Sequence, residues 1–227
     1  MRMRDLDIRR LLRRHLIGAF GSDPTALIVD ELGVCCGKVR VDMAVVNGEL
    51  KGFEIKSDQD TLIRLPLQIA TYGKVFDTLT IIVGPRHLQK IQAVVPPWWG
   101  IVLAEYHGDA QLDLRCVRTE GVNQAQDPLA LTQLLWRDEA LALLQANNLD
   151  AGLGSQPRRY LWEALATRFG ISDLRAMVRR QLKMRRGWRV AASRTRYGEK
   201  SLPSAKSLGS QSSRDGSRTH KYIDHPS

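Results

Sequence analysis

The chain has 227 residues, with 34 lysines and arginines against 24 aspartates and glutamates, a formal charge of +10 and a pI near 9.9. Its 43% hydrophobic and 26% charged residues exclude wholesale disorder, and no apolar run reaches the roughly 18–20 residues that cross a bilayer. The charged start Met1-Arg2-Met3-Arg4-Asp5 lacks an apolar signal core, and Cys35, Cys36 and Cys116 form neither a disulfide framework nor a zinc spacing, so a cytoplasmic location is expected.

Residues 4–18 read as a helix, with Leu6, Ile8, Leu11, Leu12, Leu16 and Ile17 on one side and arginines elsewhere. Residues 25–34 are ambiguous between a short helix and a strand. Strands are expected over 39–46 and 50–55, separated by the turn signal Asn47-Gly48. Asp58, Asp60 and Thr61 offer caps to a helix that has Pro66 near its first turn and Gly73 near its end. A buried strand over 78–83, a helix over 86–95 and two further strands over 100–106 and 112–117 complete one sheet. After Pro128 the pattern becomes helical, over 129–145, 158–169 and 172–186. The expected class is α/β (α+β), with a mixed sheet and a helical C-terminal extension. The expected division is a core over 1–125, a basic helical extension over 126–190 and a disordered basic tail over 191–227.

The charge is concentrated at one end. Residues 175–227 carry 14 Lys/Arg and 3 Asp/Glu, a net of +11, which leaves the rest of the chain at −1. Such a segment favours a polyanionic partner, because Lys and Arg release the counterions condensed on phosphate backbones. A solubilising end with no partner has the same composition.

The chemistry-bearing block is Arg40-Val41-Asp42-Met43-Ala44-Val45-Val46, followed by Gly52-Phe53-Glu54-Ile55-Lys56-Ser57. On strands, residues two apart share a face. Val39, Val41, Met43 and Val45 then form an apolar face with Asp42 opposite, while Glu54 and Lys56 point away from Phe53 and Ile55. A two-residue turn would put Asp42 and Glu54 on different faces, so an odd-length connection or a bulge is predicted. Two carboxylates so close repel unless a cation lies between them. A hard divalent ion such as Mg²⁺ binds through one or two carboxylates plus water and phosphate oxygens.

The string Arg40-Val41-Asp42 … Gly52-Phe53-Glu54-Ile55-Lys56-Ser57 … Arg64-Leu65 … Gln68-x-x-x-Tyr72 resembles the PD-(D/E)xK nuclease superfamily, over about residues 5–85 and most closely its compact bacterial and phage members. Val41 stands where that superfamily's name has proline. The resemblance implies a restriction-endonuclease-like αβββαβ core and a Mg²⁺-dependent nuclease, with Mn²⁺ as a substitute metal, that cleaves DNA as an endonuclease. RNA is the alternative substrate, and a homodimer is an open assembly that would supply the two sites duplex cutting needs. It implies Asp42, Glu54 and the Ile55 carbonyl as metal ligands, with Glu31 (preferred to Asp30) as the further acid. Lys56 is then the catalytic lysine, with Gln68 and Tyr72 behind it. The alternative is a catalytically inactive module that keeps the fold for nucleic-acid binding or protein docking.

Other signals are less specific. Arg64 suits a phosphate contact or an ion pair with Asp60 equally. Asp58 and Asp60 are better read as caps than as metal ligands, and Trp98-Trp99 as packing against the sheet edge rather than base stacking. Residues 161–182 have the pattern of a helix-turn-helix or, in the preferred reading, an ordinary helical hairpin. Its basic residues Arg175, Arg179, Arg180, Lys183, Arg185 and Arg186 are candidate DNA contacts in either case.

Overall fold

Six strands hydrogen-bond into one sheet in chain order, a mixed antiparallel and parallel arrangement with helices on both faces. The structure is a computed structural model that describes residues 3–107 and 111–185. The order is α1 (Asp5–Phe20), β1 (Leu27–Val34), β2 (Val39–Val46), β3 (Leu50–Lys56), α2 (Leu65–Tyr72), β4 (Thr78–Val83), α3 (Pro85–Val94), β5 (Gly100–His107) and β6 (Gln111–Arg118), then α4 (Pro128–Thr132), α5 (Arg137–Ala146), α6 (Arg158–Arg168) and α7 (Ile171–Met184). The expected class and the αβββαβ order are both observed. The proposed tail over 191–227 lies outside the described residues.

The segment that was ambiguous in the sequence is β1, an edge strand. β1, β2 and β3 pair antiparallel, β3, β4 and β5 parallel, and β5 with β6 antiparallel. α1 lays Ile8, Leu12 and Leu16 on Met43, Val45, Ile55 and Ile82. The opposite sheet face holds Ala44, Val46, Leu50, Leu79, Ile81 and Val83 against α2, α3 and the C-terminal helices, whose Leu131, Leu161, Leu174 and Val178 join the same core. β2 therefore buries both of its faces over Met43–Val46. The expectation of a single apolar face there is corrected: a strand sandwiched between helix layers is apolar on both sides, so its sequence reads as a continuous run.

Two further departures have local causes. The helix expected over 129–145 is two helices, α4 and α5, broken at Gln133–Trp136. The Asp127 carboxylate accepts from the Ala130 N–H and Glu139 from the Trp136 N–H, so each piece has its own N-terminal cap. Both pieces bury residues in one core, which gives the sequence a single amphipathic period. Asp58 caps a different helix from the one expected: its Oδ1 accepts from the Arg86 N–H in the first turn of α3. Trp99 packs as expected, fully buried and stacked on Tyr72 with centroids 6.2 Å apart.

Candidate functional site

The β2–β3 connection is Asn47-Gly48-Glu49, three residues long, with Val46 opposite Leu50 and Met43 opposite Phe53. This odd length carries Asp42 to the level of Glu54. The Asp42 side chain reaches across the hairpin, its Oδ2 accepting from the Ile55 N–H at 2.7 Å. α2 follows β3 and brings Gln68 and Tyr72, one turn apart, over Glu54.

Glu54 is only 2% exposed, and both of its carboxylate oxygens are engaged. Oε1 accepts from Lys56 Nζ and Gln68 Nε2, each at 2.5 Å. The Tyr72 hydroxyl lies 2.8 Å from both Glu54 Oε2 and the Arg40 carbonyl oxygen, and shares its one proton between them. Burial pushes the Glu54 carboxyl up to about 7, and the nearby Asp42 charge adds to the rise against the opposing pull of Lys56 and Tyr72. Burial, reinforced by Glu54, also holds the Tyr72 phenol protonated far above its usual range. Gln68 Oε1 is buried and has no partner among the described residues.

Asp42 is neutralised by a residue that the sequence did not single out. Arg9 of α1 donates to Asp42 Oδ1 at 2.5 Å and to its carbonyl oxygen at 3.0 Å. The same guanidinium lies 3.0 Å from Glu31 and 3.5 Å from Asp5. Glu31 occupies a left-handed backbone position, φ 57°, where the β1–β2 pairing skips, and faces this cluster. Its neighbour Asp30 pairs instead with Arg13 at 2.5 Å. A signal for Arg9 existed in the Asp5–Arg9 spacing of four on an amphipathic helix.

Around these groups lies an open cleft of about 790 Å³, walled by Asp42, Glu54, Ile55, Lys56, Arg64 and Gln68 together with the Gly37–Arg40 turn. The structure thus brings Glu31, Asp42, Glu54, Ile55, Lys56, Gln68, Tyr72 and Arg64 to one place. Arg64 is exposed at the mouth and, among the described residues, has no ion-pair partner; Asp60 instead accepts from the backbone and hydroxyl of Ser57.

The Mg²⁺ or Mn²⁺ that the resemblance implies does not fit this arrangement. Arg9 and Lys56 already supply the cations, and the oxygens of Asp42 and Glu54 are taken by protein donors. Among the described residues no group of three or more His, Cys, Asp or Glu is disposed to hold a metal ion.

The C-terminal candidates are dispersed. Arg175 and Arg179 each lie 3.4 Å from the buried Asp77, which also accepts from the Leu50 N–H at 2.7 Å; Arg175 further donates to Gln126. Arg185 grips both Glu139 oxygens at 2.6 Å, and Lys183 is 3.4 Å from Thr25 Oγ1. Arg180 is exposed, and Arg186 lies outside the described residues. Arg175, Arg179 and Arg185 thus hold α7 to the body of the molecule. α6 and α7 meet through the two residues Phe169-Gly170, with Leu174, Val178 and Leu182 turned into the core.

Family comparison matches residues 4–200 to the family described as Bacteriophage P4 protein cII. The chain belongs to that family. Protein cII of Enterobacteria phage P4 is 26% identical over 160 residues, which are 70% of this chain and 60% of that protein; the chain therefore spans less than two thirds of the curated relative it matches. No solved structure matches. Membership in the cII family overturns the assignment to the PD-(D/E)xK superfamily, and with it the reading as a nuclease, a phosphodiester hydrolase and an endonuclease; the phage association stands. That assignment rested on two acids and a lysine on one hairpin, of which Asp42 pairs here with Arg9 and Glu54 with Lys56. Among the described residues, no helix is long and apolar enough to cross a membrane.

Proposed function

We propose that this cII-family chain is a nucleic-acid-binding module that takes phosphate at the mouth of the cleft. The observation that carries the reading is the contrast between the acids and the rim cations of this cleft. The acids are engaged internally: Asp5, Glu31 and Asp42 with Arg9, Glu54 with Lys56, and Asp60 with Ser57. Lys38 and Arg64, by contrast, are exposed and have no ion-pair partner among the described residues; Arg40 beside them lies 3.7 Å from Glu31 yet has its side chain 64% exposed. Charges that the fold does not use for itself are the ones available to a phosphate backbone. The +11 charge of residues 175–227 supports the same partner class, and a phage-encoded relative is consistent with DNA.

Fluorescence anisotropy of labelled DNA with the full chain, across a salt series, tests this reading. Affinity is expected to fall linearly on a log–log plot, and the Lys38→Ala/Arg64→Ala double variant to reduce the slope by about two, close to one for each phosphate that is no longer neutralised. Binding that ignores salt, or a double variant with an unchanged slope, would sink it. RNA of the same length run in parallel reports whether the sugar matters.

A further inference from the structure

Trp136 stands where α4 breaks from α5, and it is 55% exposed, a large aromatic surface for the protein to leave in water. It is nevertheless held firmly. Its backbone N–H donates to Glu139 Oε2 at 2.7 Å. The Arg185 guanidinium lies over the ring, 4.3 Å from the centroid, and is itself fixed by two bonds to Glu139 and one to the Leu134 carbonyl, all at 2.6 Å. One side of the indole is thus backed by a clamped cation, and turning the ring away would forfeit that cation–π contact.

Trp136 lines a cavity of about 570 Å³ whose walls include Trp162, the exposed Arg158 and the β1–β2 turn. Arg158 sits over the Trp162 ring, 5.0 Å from its centroid. This cavity shares Glu31 and Gly37 with the cleft described above, so the two adjoin across the turn Cys35–Lys38. The backbone there is left-handed at Cys35, Cys36 and Gly37, which makes the turn a tight ridge. The acids of this second cavity are again engaged elsewhere: Asp30 with Arg13 and Glu31 with Arg9.

We infer that Trp136, backed by Arg185, is a stacking seat for an unpaired nucleobase, in a cavity adjoining the cleft whose mouth takes phosphate. The inference deepens the proposed function and rests on it: it names single-stranded nucleic acid as the substrate class. A half-exposed aromatic ring near the exposed Arg158 has the chemistry that single strands use, since every base presents a π-face and the backbone needs positive charge alongside. A duplex keeps its base faces stacked on one another and offers only its backbone to such a groove.

The test uses the full chain and three probes of equal length: a labelled single-stranded DNA, a single-stranded RNA and a duplex DNA. Trp136→Ala is expected to weaken single-strand binding about tenfold and to leave duplex binding within about twofold, while Trp136→Phe, which keeps a π-face, recovers most of the loss. Thermal melting of each variant confirms that the exposed position is replaced without unfolding. Unchanged single-strand affinity in Trp136→Ala, or an equal loss on the duplex, overturns the seat. So does a Trp136→Ala variant that loses self-association in sedimentation while binding single strands normally, because the ring would then face a second copy of the chain. If the wild-type chain binds none of the probes, the proposed function fails as well; if it binds with a salt slope that Trp136→Ala leaves intact along with the affinity, only the seat fails.

Discussion

Two buried carboxylates, Asp77 and Glu54, stand at different places on one sheet and are treated in different ways. Asp77 sits just before β4 and receives a backbone N–H and two arginines from α7, so its charge ties the C-terminal helices to the sheet. Glu54, on β3, has one lysine and two neutral donors, and the Asp42 carboxylate stands close by. The first is a fastening between elements distant in sequence. The second lies in the wall of a cleft, with a raised proton affinity that no fastening requires. A buried acid thus signals a site through its surroundings (a like charge nearby, an open cleft) and not through burial alone.

The largest effect expected is at the fastening. Asp77→Ala leaves the Leu50 N–H and two part-buried arginines without their acceptor and should cost about 3–5 kcal/mol, measured by urea unfolding; a loss under about 1 kcal/mol, the usual worth of an exposed pair, would show that the fastening is idle. Next comes Arg9→Ala, which strips the counter-ion from Asp42 and Asp5 and leaves Glu31 with Arg40 alone. The pair is partly exposed, so about 2–3 kcal/mol is expected, with Asp42→Asn added to Arg9→Ala recovering part of it. A double variant no more stable than the single would remove charge repulsion as the cause.

A third, smaller effect separates the two acids by pH. Glu54 titrates near 7 in the native state against an ordinary value of 4.5, so between those values the folded protein holds a proton that the unfolded chain has released. Stability from this group is complete below about pH 4.5 and is lost as pH rises through about 7. Glu54→Gln should flatten that decline in melting temperature, and a slope that survives the substitution would assign it to another group. The smallest effect is an expected nil: because Arg9 and Lys56 already stand beside the acids, added Mg²⁺ should leave the melting temperature unchanged. A rise that Asp42→Asn abolishes would show that the ion displaces Arg9.

The legibility of the molecule in its sequence follows the reach of its interactions. Hairpin parity is a local matter, so a three-residue connection and the level placement of Asp42 and Glu54 follow from alternation along two adjacent strands. Gln68 and Tyr72 follow from a helical spacing of four. Arg9 lies 33 residues from Asp42, and Arg179 lies 102 from Asp77, and no periodicity connects such partners. For that reason the closeness of the two carboxylates was legible, while Arg9 as the partner of Asp42 was not. The nuclease reading fell on the family match instead. The break before α5 was hidden for the opposite reason: both pieces share one apolar face, and only the caps at Asp127 and Glu139 divide them. The arginines of α7 counted as a basic face in the sequence, but three of the six candidates hold the helix in place.

The Asp77 arrangement also bears on the order in which the protein is made. Residues 27–118 supply every strand among the described residues and leave the ribosome before α7, but the arginines that neutralise Asp77 arrive only at positions 175 and 179. Until then a nascent sheet carries an uncompensated acid where its interior will close. A chain halted short of residue 175 lacks the α7 arginines and is expected to expose its half-formed core to proteases.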